Sequence, residues 1–313
     1  MDLINLIKNI SDDNIPYKYS ELIHISHIKR EHLEFFFKNW YKISKPRKID
    51  LLKKFILLSE ENLDLDYSPI FIKLLKDNDH QVKQLALEGL WEYEDREIID
   101  PVISLLNQNY PNEVRVSAVA LLGIFITNAL DNKVIKRDAE KIVANLKLIF
   151  KSDENLNIRK KVLESLSPYE DEEINSFIYE AYESNDIEFK KSGIFSMGET
   201  YKEKWLPQIL YELQSPHPSI RFEAVNAYSK LCNSNKISEI AKLIKDDDNE
   251  VRLAAINAIG IIGGPSSKSF LRKISKDSDS VSTEAAKEIL KNIESEENNS
   301  LFAPLEINPK ESM

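Results

Sequence analysis

The stretch DDDNEVRLAAINAIGIIG, residues 246–263, decides the fold. Val251, Ala255, Ile259 and Ile262 stand at offsets 0, +4, +8 and +11, which fall on one face of an α-helix. The run of Asp and Asn before Val251 supplies turn and N-cap chemistry. Related stretches recur at 77–90 (DNDHQVKQLALEGL), 111–123 (PNEVRVSAVALLG), 154–166 (ENLNIRKKVLESL), 185–198 (NDIEFKKSGIFSMG) and 217–231 (HPSIRFEAVNAYSKL). A decayed copy, DSVSTEAAKEIL, closes the series at 279–290.

The copies align on an apolar anchor: Val82, Val114, Ile158, Phe189, Ile220, Val251 and Val281. Successive gaps are 32, 44, 31, 31, 31 and 30 positions. Four positions on, the residue is small or modest: Ala86, Ala118, Val162, Gly193, Ala224, Ala255 and Ala285. A small residue there admits a closely packed partner helix. Ahead of the anchored helices lie other amphipathic segments, such as 98–106, 174–182, 205–213 and 237–244. Each unit therefore reads as helix, short polar turn, helix. A lone hairpin of this kind leaves apolar surface in water, so the units must stack into a continuous core. The expectation is an all-α fold, an α-solenoid: a superhelix of antiparallel helical hairpins. The long gap holds extra residues near 128–141, read as a longer loop or an extended first helix.

Three segments follow from the pattern. Residues 1–66 hold aromatic-rich helical runs and are expected to form a divergent N-terminal cap. Residues 67–292 carry the repeats, and the acidic, unpatterned 293–313 is expected to be a disordered tail. In that tail Leu301, Phe302 and Leu305 could dock on another protein or on the chain's own groove.

Only 7 glycines occur in 313 residues, which argues against turn-rich β folds and phosphate-cradling loops. The net charge of −10 disfavours long-range attraction to nucleic acid or anionic membranes. Cys232 is the one cysteine, so neither an intramolecular disulfide nor a cysteine zinc cluster can form. Residues 1–18 lack a basic leader, and no uninterrupted apolar run of membrane-spanning length is seen. A cytoplasmic protein without cofactor or metal is the expectation. No Walker loop, GxGxxG, GxSxG or HExxH motif is present.

The series Asp-x-Asp-x-x-Val-Arg followed by Ala-Ala-x-x-Ala-Ile-Gly, residues 246–260, resembles the bacterial "PBS-lyase HEAT-like" class of HEAT repeat, related to armadillo-like helical repeats. The resemblance extends over about residues 67–292. It implies a binding scaffold that takes a helix or extended peptide of another protein on a concave face lined by second helices. Two alternatives come with the class: a bilin-lyase-type enzyme, subunit or chaperone, and a nucleic-acid-binding scaffold. Deoxyhypusine hydroxylase, a di-iron relative, uses His-Glu dipeptides as ligands, and this sequence has none.

Two sets of candidate residues follow. A base succeeds six of the anchors: Lys83, Arg115, Arg159, Lys190, Arg221 and Arg252. With Asp79, Asp153, Asp186 and Asp248 as partners, these bases are expected to form an inter-repeat ladder; a basic groove is the competing reading. Positions +2, +6 and +9 from the anchors should point away from the core. From these, Trp91, Val116, Lys160, Phe195, Phe222, Asn226, Leu253 and Asn257 are the candidate partner-binding residues. His24, His27 and His32 have the one metal-like spacing, and surface histidines are the simpler reading.

Overall fold

In a computed structural model the described residues, 2–153, 155–232, 237–276 and 280–301, are helices and turns with no strand among them. They form two compact units that divide between Tyr169 and Glu170.

The first unit begins with α1 (Leu3–Ile10), a 3₁₀ segment (Tyr19–Ile25), α2 (Arg30–Trp40) and α3 (Lys45–Glu61). Then come the hairpins α4 (Ser68–Leu74) and α5 (His80–Glu88), α6 (Ile99–Ser104) and α7 (Asn112–Leu130), and α8 (Lys136–Ser152) and α9 (Leu156–Leu166). The second helices α3, α5, α7 and α9 pack in succession. Residues 1–66 are tied to the first repeat by aromatic packing. Tyr67 stacks on Phe55 at 4.6 Å while donating to Leu22 O at 3.2 Å, and Trp40 Nε1 donates to Asp77 at 3.4 Å.

The second unit contains α10 (Glu172–Tyr182) with α11 (Ile187–Glu199), and α12 (Leu206–Glu212) with α13 (Pro218–Leu231). It continues with α14 (Ser238–Ala241, extended by a 3₁₀ turn to Lys245) and α15 (Asn249–Ile262), then α16 (Gly264–Ile274) and α17 (Ser280–Leu301). Here α11, α13, α15 and α17 stack in order. Each unit is thus an all-α stack of antiparallel hairpins, the solenoid arrangement.

Local chemistry explains where the second helices begin. Asp79, Asn155, Asp186 and Asp248 each stand three residues before an anchor and accept hydrogen bonds from first-turn N–H groups at 2.8–3.3 Å. Each such cap contributes about 1 kcal/mol. The anchors Val82, Val114, Ile158, Phe189, Ile220 and Val251 are all buried, as are the residues at +4 and +8. Burying each aliphatic anchor contributes roughly 1.5–3 kcal/mol.

Three expectations are corrected. Val281 is 56% exposed, whereas Ser282, Ala286 and Leu290 are buried, so the last anchor is Ser282. That assignment makes the final gap 31, equal to the three gaps before it. The extra residues near 128–141 are neither a long loop nor a longer first helix alone: α7 and α8 are both extended and a short turn joins them. Finally, α17 runs to Leu301, past the boundary expected near 292. Residues 302–313, the rest of the expected disordered tail, lie outside the described residues.

Helix α7 has the length and hydropathy of a membrane-spanning segment, which qualifies the expectation that none exists. It packs against α5, α6, α8 and α9 and holds the buried Arg115, as a core helix does.

Candidate functional site

The bases after the anchors act first on their own hairpins. Five of the six reach back to a carbonyl at or just beyond the end of the preceding first helix. Arg115 Nε donates to Leu106 O at 3.0 Å, Arg159 Nε to Phe150 O at 3.0 Å and Arg221 Nη1 to Ser215 O at 2.8 Å. Arg252 Nη1 donates to Asp246 O at 2.7 Å, and Lys83 Nζ to Asp77 O. A cation there satisfies carbonyls left open by the helix terminus and favours its dipole. Burial holds the Lys83 ammonium below its ordinary pKa.

Arg115, Lys190 and Arg221 reach forward to the next hairpin. Arg115 pairs with Asp153, both almost fully buried. Lys190 Nζ lies 2.7 Å from Glu212, whose carboxylate also accepts from Tyr182 Oη at 3.0 Å. Arg221 binds Asp246 through Nε at 2.8 Å and Nη2 at 2.6 Å. Burial alone would raise the Asp246 carboxyl; Arg221 and the Asp248 N–H outweigh it and hold it below the usual range.

The acids that meet these bases therefore differ in part from those the sequence suggests. Asp153 and Asp246 stand five residues before their anchors, and Glu212 eight before. Asp79, Asp186 and Asp248 stand three before, where their carboxylates cap the second helix; Asp79 also pairs with Lys45 at 2.7 Å. An acid at the cap position has its oxygens aimed at the first-turn amides. Glu212 and Asp246 were not singled out in the sequence, although both stand in the segment between successive anchors.

On the outward arc of the second helices, Val116, Lys160, Phe195, Phe222, Asn226 and Leu253 are half-buried, and Asn257 is exposed. In the second unit the stacking of α11, α13 and α15 brings Phe195, Phe222, Asn226, Leu253 and Asn257 onto one side. Phe195 is partly covered by Lys230, whose Nζ lies 5.1 Å above the ring and pairs with Glu199. In the first unit Val116 and Lys160 lie on the neighbouring helices α7 and α9. Trp91 lies past the end of α5 and is 39% exposed.

The +9 positions do not belong to that arc. Gly123, Ser167, Gly198 and Ser229 are buried. A Cβ on Gly123 would stand 2.7 Å from Ser165 Oγ, and one on Gly198 2.9 Å from Ala227 Cα. These are contacts between successive second helices. The third outward position is +10, where Ile261 is 70% exposed and extends the row of Leu253 and Asn257.

The histidines do not converge. His27 Nε2 lies 2.9 Å from Asp64 O, and no metal-ligating group of three or more His, Cys, Asp or Glu occurs among the described residues. Cys232 is half-buried, next to Tyr228, whose phenol is pushed up by burial and by the thiol.

Residues 206–291 match the family model for HEAT repeats. No curated protein matches the sequence. Among solved structures, the chain is similar to YibA of E. coli at 16% identity, covering 75% of this chain and 95% of that one with a TM-score of 0.47. It is similar to the complex of CpcE and CpcF of phycocyanin lyase from Nostoc sp., at 15% identity, 72% and 94% coverage and a TM-score of 0.49. Human deoxyhypusine hydroxylase in complex with glycerol matches at 14% identity, 93% and 96% coverage and a TM-score of 0.34.

Proposed function

We propose that this chain, whose residues 206–291 are HEAT repeats, is a non-catalytic scaffold that binds another protein through its second-helix face. The supporting observation is the apolar row on the second unit. Phe222 and Leu253 occupy the same register on the adjacent helices α13 and α15, with Ile261 one turn beyond Asn257. A solvated helix face normally places polar residues there. Neighbouring apolar side chains with asparagines between them suit an amphipathic helix or extended segment, whose backbone and polar groups the asparagines can meet.

The test is site-specific photocrosslinking in the native cell from positions 222 and 253, followed by mass spectrometry, with Phe222→Asp/Leu253→Asp as comparison. A defined protein should crosslink at both positions. The double variant should lose that protein from affinity purification while keeping its helical circular dichroism. Undiminished recovery of the same partner by a folded double variant would refute the assignment.

A further inference from the structure

The first unit contains two adjoining concavities that the second-helix face does not explain. A chamber of about 310 Å³ opens between the α3–α4 connection and the residues after α5. Leu63, Trp91 and Tyr93 form apolar wall, and Asp66, Glu92 and Glu94 supply charge. No Lys, Arg or His lines it. Asp66, Ser68 and Tyr93 also border a larger cleft of about 720 Å³, whose walls include the apolar Pro69, Ile72 and Pro101 together with Lys73, Lys76 and Glu97, so the cations line the cleft and not the chamber.

The charges are only partly answered from within the chain. Lys133 reaches Glu94 at 3.1 Å, and His27 Nδ1 lies 3.9 Å from Asp66. Glu92 makes no ion pair with the described residues. The Tyr93 phenol is pushed up by burial and by its hydrogen bond to Glu97, with Asp95 and Asp66 adding to the effect. Meanwhile Leu63 is 71% and Trp91 39% exposed, so apolar surface lies beside unneutralised carboxylate. A long side chain with an apolar stem and a cationic head satisfies both at once.

We infer that the chamber seats one lysine or arginine side chain from a basic segment of a partner protein. A neighbouring apolar side chain of that segment lies in the adjoining cleft. The stem packs on Trp91 and Leu63, and the head meets Glu92, Asp66 and Glu94. The volume of about 310 Å³ is ample for one long side chain and stands at the lower end of the roughly 300–1,000 Å³ of small-molecule pockets. This rests on the reading of the chain as a protein-binding scaffold and assigns it a partner class and a second point of contact.

The probe is a dye-labelled, end-capped hexapeptide of alternating leucine and lysine, titrated against the full chain by fluorescence anisotropy. A matching peptide with glutamate for lysine is the counterpart. The lysine peptide should bind and the glutamate peptide should not. Trp91→Ala and the near-isosteric Glu92→Gln should each weaken binding about tenfold, as hot-spot truncations do. Glu203→Gln, an exposed acid in the second unit, should leave it unchanged. Phe222→Asp/Leu253→Asp should also leave it unchanged, which separates this site from the α13–α15 face. Absence of binding, or equal weakening by Glu203→Gln and Glu92→Gln, would overturn the chamber assignment. Neither result bears on crosslinking from positions 222 and 253.

Discussion

Gly198 and Gly260 occupy the same register, nine residues after their anchors, yet they should respond differently to alanine. Neither has a positive φ, so each is glycine for want of space, not for backbone freedom. Both lie in the last turn of a helix, so alanine brings each the same propensity gain, at most about 1 kcal/mol. The difference lies in what the new methyl meets. At Gly198 it would stand 2.9 Å from Ala227 Cα and 3.1 Å from Ala227 Cβ, so α11 and α13 themselves must separate. At Gly260 the near atom is Ile289 Cγ2 at 2.6 Å, with the next at 3.8 Å, and a rotamer change removes the clash. Overpacking that moves backbone costs about 1–3 kcal/mol. Gly198→Ala should therefore lose about 1–2 kcal/mol net, and Gly260→Ala should stay within about 0.5 kcal/mol of the parent. Urea unfolding followed by circular dichroism measures both. A Gly198→Ala protein as stable as the parent, or as stable as Gly260→Ala, would show that α11 and α13 are not in backbone contact at this point.

Asp153→Ala leaves the buried Arg115 without its carboxylate and should cost about 3–5 kcal/mol in urea unfolding, whereas a surface pair such as Lys136–Glu140 should give under about 1 kcal/mol when broken. The lowered Asp246 pKa implies stability that is present above the unfolded carboxyl pKa of about 3.9 and is lost as pH falls through the lower folded value. Acid unfolding of Asp246→Asn should accordingly show a shallower decline below about pH 4 than the parent; equal slopes would refute the linkage. Gly263 has φ +67° and ψ −167°, a backbone conformation almost confined to glycine, and a Cβ there would meet nothing closer than 3.9 Å, so Gly263→Ala should cost about 1–3 kcal/mol from backbone strain alone, read as a lowered unfolding midpoint.

The hairpins, their order and the buried face of each second helix were legible because one period of about 31 residues repeats with apolar anchors on it. At the last anchor two signals conflict: Val281 is more apolar than Ser282, but the period of 31 falls on Ser282. Burial follows the period, because the helix must keep its place in the stack, and a serine is buried there. The glycines held a second unused signal. In a chain with only 7, three fall at the same +9 register, which is the mark of close helix approach, not of an outward face. The ladder was half legible. Charges recurring in register are visible in sequence, but an acid three residues before an anchor and one five residues before it differ only in where the turn aims their oxygens. Glu212 lay beyond reach altogether, since a glutamate in an amphipathic first helix looks solvated until Lys190 and Tyr182 close over it.

The division of labour along each second helix bears on function. Offsets 0, +4 and +8 are uniformly buried, and +9 is small in the five middle repeats, whereas Trp91 stands there in the first, after α5 has ended, and Lys291 in the last. These positions build the stack and tolerate little variety. The arc at +2, +6 and +10 is under no such demand, and there the repeats diverge: Gln84, Glu88 and Glu92 after Val82; Val116, Ala120 and Ile124 after Val114; Leu253, Asn257 and Ile261 after Val251. If the arc were merely solvated, any polar residues would serve, and large apolar side chains at Phe222, Leu253 and Ile261 would cost solubility without return. Their presence beside asparagines, and the carboxylates of the first repeat beside Trp91, describe two patches of different chemistry in two compact units. A partner that engages both needs an apolar stripe for one and a basic side chain for the other. Such two-point recognition is testable: because one partner carries both epitopes, its second contact is intramolecular, and impairing either patch should reduce its affinity to that of the remaining epitope alone; an affinity unchanged by loss of one patch would refute it.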